Sequence, residues 1–224
     1  MQRVEVWVAP LDGPPAANAG LSPAEWARAK RYRFPDDARR FTAARSWLRR
    51  VLGAELGVAP ADVAFADGPG KPRLRDEAGV RFNLSYTEDV ALIAVADREV
   101  GVDVEHLGRG LRILDAASVA CTPEEIATLH QLPPDPRAEE FLRLWTAKEA
   151  VLKATGQGLT VPPDRVRVGA RRAGAATPVV ILGDASPPRW WVRELRPAPG
   201  YVGAVAAEGG DWDIHLRIVT AADL

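Results

Sequence analysis

The sequence has few of the residues that form cross-links or metal clusters. Its 224 residues include one cysteine, Cys121, and three histidines, so a disulfide within the chain and a multi-cysteine metal site are excluded. The 29 Lys and Arg balance the 30 Asp and Glu to a net charge of −1, which argues against a protein whose whole surface binds polyanions. The longest purely apolar run, Val90–Ala96, is far shorter than the ~20 residues of a membrane helix, and no signal-peptide pattern is visible. We therefore expect a soluble, cytoplasmic protein that binds neither membrane nor nucleic acid.

The predicted elements follow the same order twice along the chain. Ser22-Pro23-Ala24-Glu25 is typical of a helix start, with a capping serine, a proline at the first helical position and a glutamate three residues after the cap. Thr122-Pro123-Glu124-Glu125 repeats this pattern. A long helix follows each start, predicted over Asp36–Leu56, with Gly57 as its end, and over Arg137–Thr155.

Short apolar or β-branched runs predict two groups of strands, and all but the first strand follow a long helix. The first group comprises Arg3–Val8 and an antiparallel meander of Val80–Ser85, Val90–Ala96 and Val100–Val104; the second comprises Arg165–Val168, Pro178–Leu182, Trp190–Leu195 and Tyr201–Ala206. This order predicts an α+β fold of two pseudo-symmetric halves, each a small antiparallel sheet packed with a long helix. We expect residues 1–107 to form the N-terminal half and residues 108–224 the C-terminal half.

Charge is distributed unevenly along the chain. Positions 26–50 hold nine basic residues against two acidic ones, a local charge of +7, whereas positions 97–149 hold six basic and eleven acidic residues, a local charge of −5. Solvated helix faces are the usual explanation of such runs. A functional explanation requires a ligand that binds both signs of charge.

Two carboxylates lie two positions apart in the predicted strand Gly101-Val102-Asp103-Val104-Glu105. Alternate side chains of a strand share a face, so Asp103 and Glu105 would project together and repel each other unless a cation or proton lies between them. Hard oxygen ligands of this kind suit Mg²⁺. The alternative to a metal site is a solvent-facing strand edge with ordinary acidic residues. A D-x-E pattern taken alone favours this alternative.

A third carboxylate, Glu149, lies on the predicted helix that contains Trp145-Thr146-Ala147-Lys148-Glu149-Ala150-Val151-Leu152-Lys153. Glu149 and Lys153 have the i,i+4 spacing of an ordinary surface ion pair. However, the glycines of Gly156-Gln157-Gly158-Leu159 would end the helix and let the backbone approach another group closely. Glu149 could complete a metal site or act as a general base, and the spacing leaves both roles open.

Two further motifs offer phosphate-binding groups. Gly70-Lys71-Pro72 places a lysine on a turn from which it can reach a phosphate, and Phe82-Asn83-Leu84-Ser85-Tyr86 ends a strand with neutral donors. Neither motif is a Walker loop or a dinucleotide-binding loop. Taken singly, each motif is explained equally well by the residues that a turn requires and by phosphate binding.

In this order, the motifs resemble those of the surfactin-type 4′-phosphopantetheinyl transferases. The resemblance rests on G-K-P at 70–72, F-N-L-S at 82–85, G-V-D-V-E at 101–105 and W-T-A-K-E-A-V-L-K at 145–153 followed by G-Q-G-L. It covers about residues 22 to 160. It implies the fold of that family and transfer of the phosphopantetheine arm of coenzyme A to a serine of an apo acyl or peptidyl carrier protein, with release of adenosine 3′,5′-bisphosphate. It also implies a monomer with coenzyme A in a cleft between the two halves.

The resemblance also implies roles for individual residues. Asp103, Glu105 and Glu149 would hold Mg²⁺ on the pyrophosphate, and Glu149 would deprotonate the carrier serine. Lys153, with Lys148 as a second candidate, would neutralise charge that develops on the pyrophosphate. The residues expected to contact coenzyme A are Arg28, Arg40, Lys71, Pro72, Asn83, Ser85, Tyr86, Asp103 and Lys153, with Arg28 and Arg40 near the 3′-phosphate.

The chain departs from the family pattern at one position. Tyr86 stands where the family usually has a histidine that helps to bind the 3′-phosphate. A phenol donates one hydrogen bond but carries no positive charge, so the affinity for coenzyme A or its pH dependence could differ. The main alternative function is a non-catalytic module that binds coenzyme A or carrier proteins; the retained acidic residues and Lys153 argue against it.

Overall fold

The computed structural model describes residues 2–13, 20–66, 68, 70–76, 79–109, 114–157, 160–169, 175–183 and 189–219; Gly158 and Leu159 of the glycine-rich string lie outside them. The α-helices in this part of the chain are α1 (Pro23–Ala29), α2 (Pro35–Leu56), α3 (Ala117–Ala120), α4 (Pro123–His130) and α5 (Pro134–Thr155). The strands are β1 (Gln2–Pro10), β2 (Arg81–Thr87), β3 (Val90–Ala96), β4 (Val100–His106), β5 (Val166–Val168), β6 (Thr177–Ile181), β7 (Trp190–Leu195), β8 (Tyr201–Glu208) and β9 (Trp212–Ile218). The fold is α+β, as predicted.

Both predicted helix starts are confirmed. The hydroxyls of Ser22 and Thr122 each accept the main-chain N–H of the glutamate three residues later, whose carboxylate accepts the N–H of the cap. This reciprocal arrangement satisfies two N–H groups that a helix start otherwise leaves unpaired. The long helices α2 and α5 both end at a glycine in the left-handed conformation, Gly57 with φ 68° and Gly156 with φ 73°.

The strands form two sheets. One has the order β2-β3-β1-β9, with β1 antiparallel to β3 and parallel to β9; the other is the antiparallel sheet β4-β8-β7-β6-β5. The predicted meander is therefore wrong at its third strand, because β4 pairs with β8 instead of β3. Strand β9 has no counterpart among the predicted strands. The chain thus crosses between the sheets at β4 and again at β9, while the division at residue 107 remains a prediction.

The sheets stack face to face, and each long helix covers the outer face of one sheet. Helix α2 packs Trp47 and Leu48 against the apolar side chains of β3 such as Ile93. Helix α5 packs on the other sheet, where its apolar face meets β7 and β8. A shared core of valine, leucine and alanine side chains from β1, β3, β4 and β8 fills the space between the sheets. None of the described helices is long and apolar enough to span a membrane.

Strands β2 and β4 lie side by side at one edge of the stack, and we call this contact the seam. The two strands share no main-chain ladder. Side chains bridge them instead: the Asn83 amide oxygen accepts the Val102 N–H at 2.9 Å, and the Ser85 hydroxyl donates to Asp103 at 2.7 Å. The seam is where the sequence-predicted polar residues of both strands meet.

Candidate active site

The seam and helix α5 bring five predicted residues together. Ser85 projects from β2, Asp103 and Glu105 from the facing strand β4, and Glu149 and Lys153 from one face of α5. The alternation along β4 directs both acidic side chains the same way, as the sequence predicts. The i,i+4 spacing on α5 presents Glu149 and Lys153 to that same group of carboxylates.

Asp103 is the centre of this cluster and is 5% exposed. The ammonium of Lys153 donates to Asp103 Oδ1 at 2.6 Å and to Ser85 Oγ at 3.0 Å, while the Ser85 hydroxyl donates to the same Oδ1 at 2.7 Å. The other oxygen, Oδ2, is buried and has no hydrogen-bond partner among the described residues. A buried carboxylate oxygen without a partner carries a desolvation penalty that a cation or a donor would relieve.

Glu149 has the same incomplete environment. Its Oε1 is buried and has no hydrogen-bond partner in the described part of the chain. Burial raises the pKa of Glu149, and the negative charge of Asp103 raises it further, while Lys153 opposes the change. Glu149 is thus a carboxylate that gains from receiving a proton or a cation.

Glu105 lies close to Asp103 but already has a cationic partner. Burial and the charge of Asp103 raise the pKa of Glu105 to about 6, although Arg109 and Lys153 oppose the change. The Arg109 guanidinium donates to Glu105 Oε2 at 2.8 Å and to the Thr87 hydroxyl at 3.2 Å. Thr87 and Arg109 were not among the predicted site residues. The period of two along β2, which places Thr87 on the face of Ser85, was the available signal for Thr87.

Two carboxylate oxygens of the cluster are chemically suited to a cation. No three His, Cys, Asp or Glu side chains of the described residues form a group that could hold a metal ion. Asp103 Oδ2 and Glu149 Oε1, however, are buried oxygens without partners, and oxygen atoms of carboxylates are the ligands that Mg²⁺ prefers. Two of the three predicted metal ligands therefore have a buried oxygen without a partner, and the third, Glu105, is paired with Arg109 through its Oε2.

Lys148 lies elsewhere. Its side chain is fully buried, and its ammonium contacts Glu125 Oε2 at 2.6 Å and the carbonyl oxygens of Ala120 and Pro163 at 3.0 and 3.1 Å. Three acceptors match the three N–H groups of an ammonium. These contacts argue against the predicted catalytic role of Lys148, because they direct its charge toward α3 and α4 instead of the acidic cluster.

Lys71 also has a different environment from the one predicted. Its ammonium donates to Glu99 Oε2 at 2.8 Å, to the carbonyl of Val100 at 2.8 Å and to the carbonyl of Ala154 at 3.4 Å. The side chain is 7% exposed. All three donors are therefore in use within the protein, which conflicts with the predicted contact of Lys71 with a phosphate.

A basic cleft begins on the β2 side of the seam. A cavity of about 600 Å³ and an adjoining one of about 130 Å³ share Arg28, Phe41, Arg45 and Pro72 in their walls. The smaller cavity also reaches Asn83 and Tyr86. Arg45 and Arg49 also line the larger cavity, and both pair with Glu25. The single negative charge of Glu25 is therefore opposed by two positive charges. Four of the predicted coenzyme contacts, Arg28, Pro72, Asn83 and Tyr86, thus line one continuous region.

Two predicted contacts of the 3′-phosphate differ in their surroundings. Arg40 pairs with Glu88, with Nη2 2.7 Å from Oε2, instead of facing the cleft with Arg28. Burial, and then a hydrogen bond with Tyr32, raise the pKa of Tyr86 well above its usual value. Tyr86 therefore acts in the cleft as a neutral phenol with a phenolic neighbour that was not predicted.

Known proteins resemble this chain over most of its length. The model of the 4′-phosphopantetheinyl transferase superfamily matches residues 99–206. The 4′-phosphopantetheinyl transferase HetI of Nostoc sp. (strain PCC 7120 / SAG 25.82 / UTEX 2576) is 39% identical over 219 residues, which cover 94% of this chain and 90% of that protein. The 4′-phosphopantetheinyl transferase psf-1 of Bacillus pumilus is 31% identical over 88% of this chain and 83% of its own length. The transferase Sfp of Bacillus subtilis (strain 168) is 25% identical over 91% of this chain and 89% of its own length.

Proposed function

This chain belongs to the 4′-phosphopantetheinyl transferase superfamily, and we propose that it transfers the 4′-phosphopantetheine arm of coenzyme A to a serine hydroxyl of an apo carrier protein. The observation that supports this most strongly is the cluster of Asp103, Glu149 and Lys153 beside the seam, in which a lysine contacts one carboxylate while two carboxylate oxygens remain available. The other product would be adenosine 3′,5′-bisphosphate.

Glu149 and Lys153 would carry the proton and the charge of the reaction. The serine oxygen attacks the phosphorus that bears pantetheine, and the serine proton passes to Glu149. The bond from that phosphorus to the bridging oxygen breaks, and the electron pair leaves with adenosine 3′,5′-bisphosphate. A positioned general base contributes about 10²–10⁴-fold to such a step, and the raised pKa of Glu149 suits a proton acceptor. The ammonium of Lys153 would stabilise the negative charge on the phosphate oxygens.

Asp103, Glu105 and Glu149 would hold Mg²⁺. When bound, the ion would neutralise the charge of the pyrophosphate. Asp103 Oδ2 and Glu149 Oε1 support this assignment because they are buried without partners among the described residues. Glu105 would offer its Oε1, because Arg109 contacts the other oxygen, Oε2, at 2.8 Å.

The basic cleft would bind the nucleotide part of coenzyme A. Arg28 contacts the face of the Phe41 ring, with 5.1 Å between the guanidinium carbon and the ring centroid, and both residues line the cleft. This position leaves its guanidinium near Tyr86, which also lines the adjoining cavity. Arg28 would supply the positive charge for the 3′-phosphate, and the phenol of Tyr86 a neutral donor.

We further propose a surfactin-type enzyme that works as a cytoplasmic monomer. The similarity to Sfp and psf-1 over more than four fifths of the chain supports the type. Ser85, Asp103 and Lys153 come from one chain and already contact one another, which supports a site that needs no second copy.

The proposal is tested by incubating the protein with coenzyme A, Mg²⁺ and apo carrier domains of several types, and then measuring the mass of each carrier. We expect at least one carrier to gain the mass of one phosphopantetheine group, and a reaction with EDTA in place of Mg²⁺ to leave the carrier unchanged. A carrier whose serine is replaced by alanine is the control for the site of modification. If no carrier gains mass, the proposed activity is wrong.

A further inference from the structure

Strand β4, which carries Asp103 and Glu105, is the edge strand of the five-stranded sheet. One of its edges pairs with β8, and the opposite edge faces the seam, where no strand of the described part of the chain continues the ladder. Main-chain groups on that edge are buried, and an unpaired buried N–H or C=O is costly. Their partners therefore decide how firmly β4 is held.

Two side chains provide these partners. The Lys71 ammonium donates to the carbonyl of Val100 at 2.8 Å, and the Asn83 amide oxygen accepts the N–H of Val102 at 2.9 Å. These two contacts lie on either side of Gly101 and immediately before Asp103. Asn83, like Lys71, has a side chain that is largely buried, with 7% of the residue exposed.

Lys71 also ties β4 to the helix that carries the other reacting groups. Its ammonium reaches the carbonyl of Ala154, the residue after Lys153, at 3.4 Å, and Glu99 Oε2 at 2.8 Å. The carbonyls of a last helical turn lack helical partners and carry partial negative charge, so a buried ammonium is a favourable neighbour. One side chain thus joins the start of β4 to the last turn of α5.

We propose that Lys71 and Asn83 are positioning residues that hold β4 and the end of α5 in register, and that neither side chain is a direct contact of coenzyme A. Lys71 fixes the distance between the strand of Asp103 and the helix of Lys153, and Asn83 fixes β2 against β4 so that Ser85 reaches Asp103. This inference rests on the proposed transfer reaction. It reverses the roles that the sequence motifs suggested for both residues.

The first test compares Lys71→Met with Arg73→Met. Methionine keeps most of the length of lysine but removes its donors. Arg73 pairs with the same glutamate, Nη1 to Glu99 Oε1 at 2.9 Å, and has a side chain that is 46% exposed. For Lys71→Met we expect kcat to fall about 10- to 100-fold, the scale of a small misplacement of reacting groups, with KM and Kd for coenzyme A within about twofold of wild type. Arg73→Met should match wild type. A rise of Kd for coenzyme A with unchanged kcat would overturn the proposal, because it would identify Lys71 as a ligand of the phosphates.

The second test separates the two possible uses of the Asn83 amide. The contact with Val102 uses the amide oxygen as an acceptor, so Asn83→Asp keeps the acceptor while Asn83→Leu removes it. We expect Asn83→Asp to retain most of the wild-type kcat and Asn83→Leu to lose it, each with little change in Kd for coenzyme A. Equal loss in both variants, together with weaker coenzyme binding, would show that the amide N–H₂ group binds the ligand.

Amide hydrogen exchange gives a readout that needs no activity. If Lys71 holds β4 to α5, Lys71→Met should speed exchange in peptides that cover residues 100–105 and 150–157, while peptides from α2 keep their wild-type protection. Unchanged exchange in both segments would contradict the proposal even if the wild-type protein transferred nothing. An inactive wild type with the expected exchange pattern would instead contradict only the transfer reaction.

Discussion

Asp103 has two oxygens in opposite situations. Oδ1 accepts from both Lys153 and Ser85, while Oδ2 is buried without a partner in the described part of the chain. The two donors hold the carboxylate in one orientation, so the second oxygen points to a fixed place. A side chain that is anchored through one oxygen and unsatisfied at the other is suited to bind a cation or a donor from a ligand.

The two arginines predicted near the 3′-phosphate allow a direct comparison. Arg28 lines the basic cleft, whereas Arg40 pairs with Glu88. We expect Arg28→Ala to raise the Kd for coenzyme A about tenfold, because it removes a charge-assisted hydrogen bond, and Arg40→Ala to change it less than about twofold. Calorimetric titration of both variants with coenzyme A measures this. A larger effect at Arg40 would locate the phosphate at the start of α2.

Sequence patterns were sufficient to predict the positions of some site residues but not of others. The alternation of β4 and the i,i+4 spacing of α5 predict which faces Asp103, Glu105 and Lys153 occupy, and the structure brings these residues together. The same patterns cannot predict the acceptors of Lys71 and Lys148. These acceptors are main-chain carbonyls and carboxylates of other elements, so their positions depend on tertiary packing.

At the scale of elements, the contact of β4 with α5 is unusually close. A Cβ added at Gly101 would clash with the carbonyl oxygen of Ala150 and the main-chain nitrogen of Ala154. Glycine is needed here because the helix backbone lies directly on the strand, not because of its backbone angles. This close approach allows Lys153 to reach Asp103.

Gly101→Ala should therefore destabilise the protein. We expect the free energy of unfolding to fall by about 1–3 kcal/mol or more, because the added methyl group must push α5 away from β4. Gly13→Ala is a matched control, since a Cβ there meets no atom of the described residues within 4 Å, and its effect should stay within about 0.5 kcal/mol. Urea unfolding measures both. Equal stability of the two variants would show that α5 can shift without cost.

Local patterns predicted most elements but not the pairing of every strand. Capping residues and apolar spacing identified α1, α2, α4 and most of α5, since these signals lie within a few neighbouring residues. The crossing of β4 into the second sheet was not predictable from its sequence, because its partner β8 begins almost one hundred residues later. Strand β9 was missed although its apolar residues Trp212, Ile214, Leu216 and Ile218 alternate with polar ones, which is the period-two pattern typical of a strand.

At the scale of the whole molecule, the net charge of −1 results from the cancellation of two local excesses. The basic stretch 26–50 contributes Arg28 and Arg45 to the cleft, and the acidic stretch 97–149 contributes Asp103 and Glu149 to the site beside it. A polyphosphate ligand bound with a metal ion matches a basic surface next to an acidic one. The distribution of charge therefore carries more functional information than its sum.

One carboxylate on α5, that of Glu149, is expected to remove a proton during transfer. The most direct measurement is the initial rate at which an apo carrier gains phosphopantetheine mass with the wild-type protein, Glu149→Gln and Glu139→Gln. Glu139 lies on the same helix, pairs with Arg196 and has a side chain that is 41% exposed. We expect Glu149→Gln to slow transfer about 10²–10⁴-fold while the protein remains folded, and Glu139→Gln to match wild type. Transfer by Glu149→Gln at the wild-type rate would contradict the role of Glu149 and the reaction built on it.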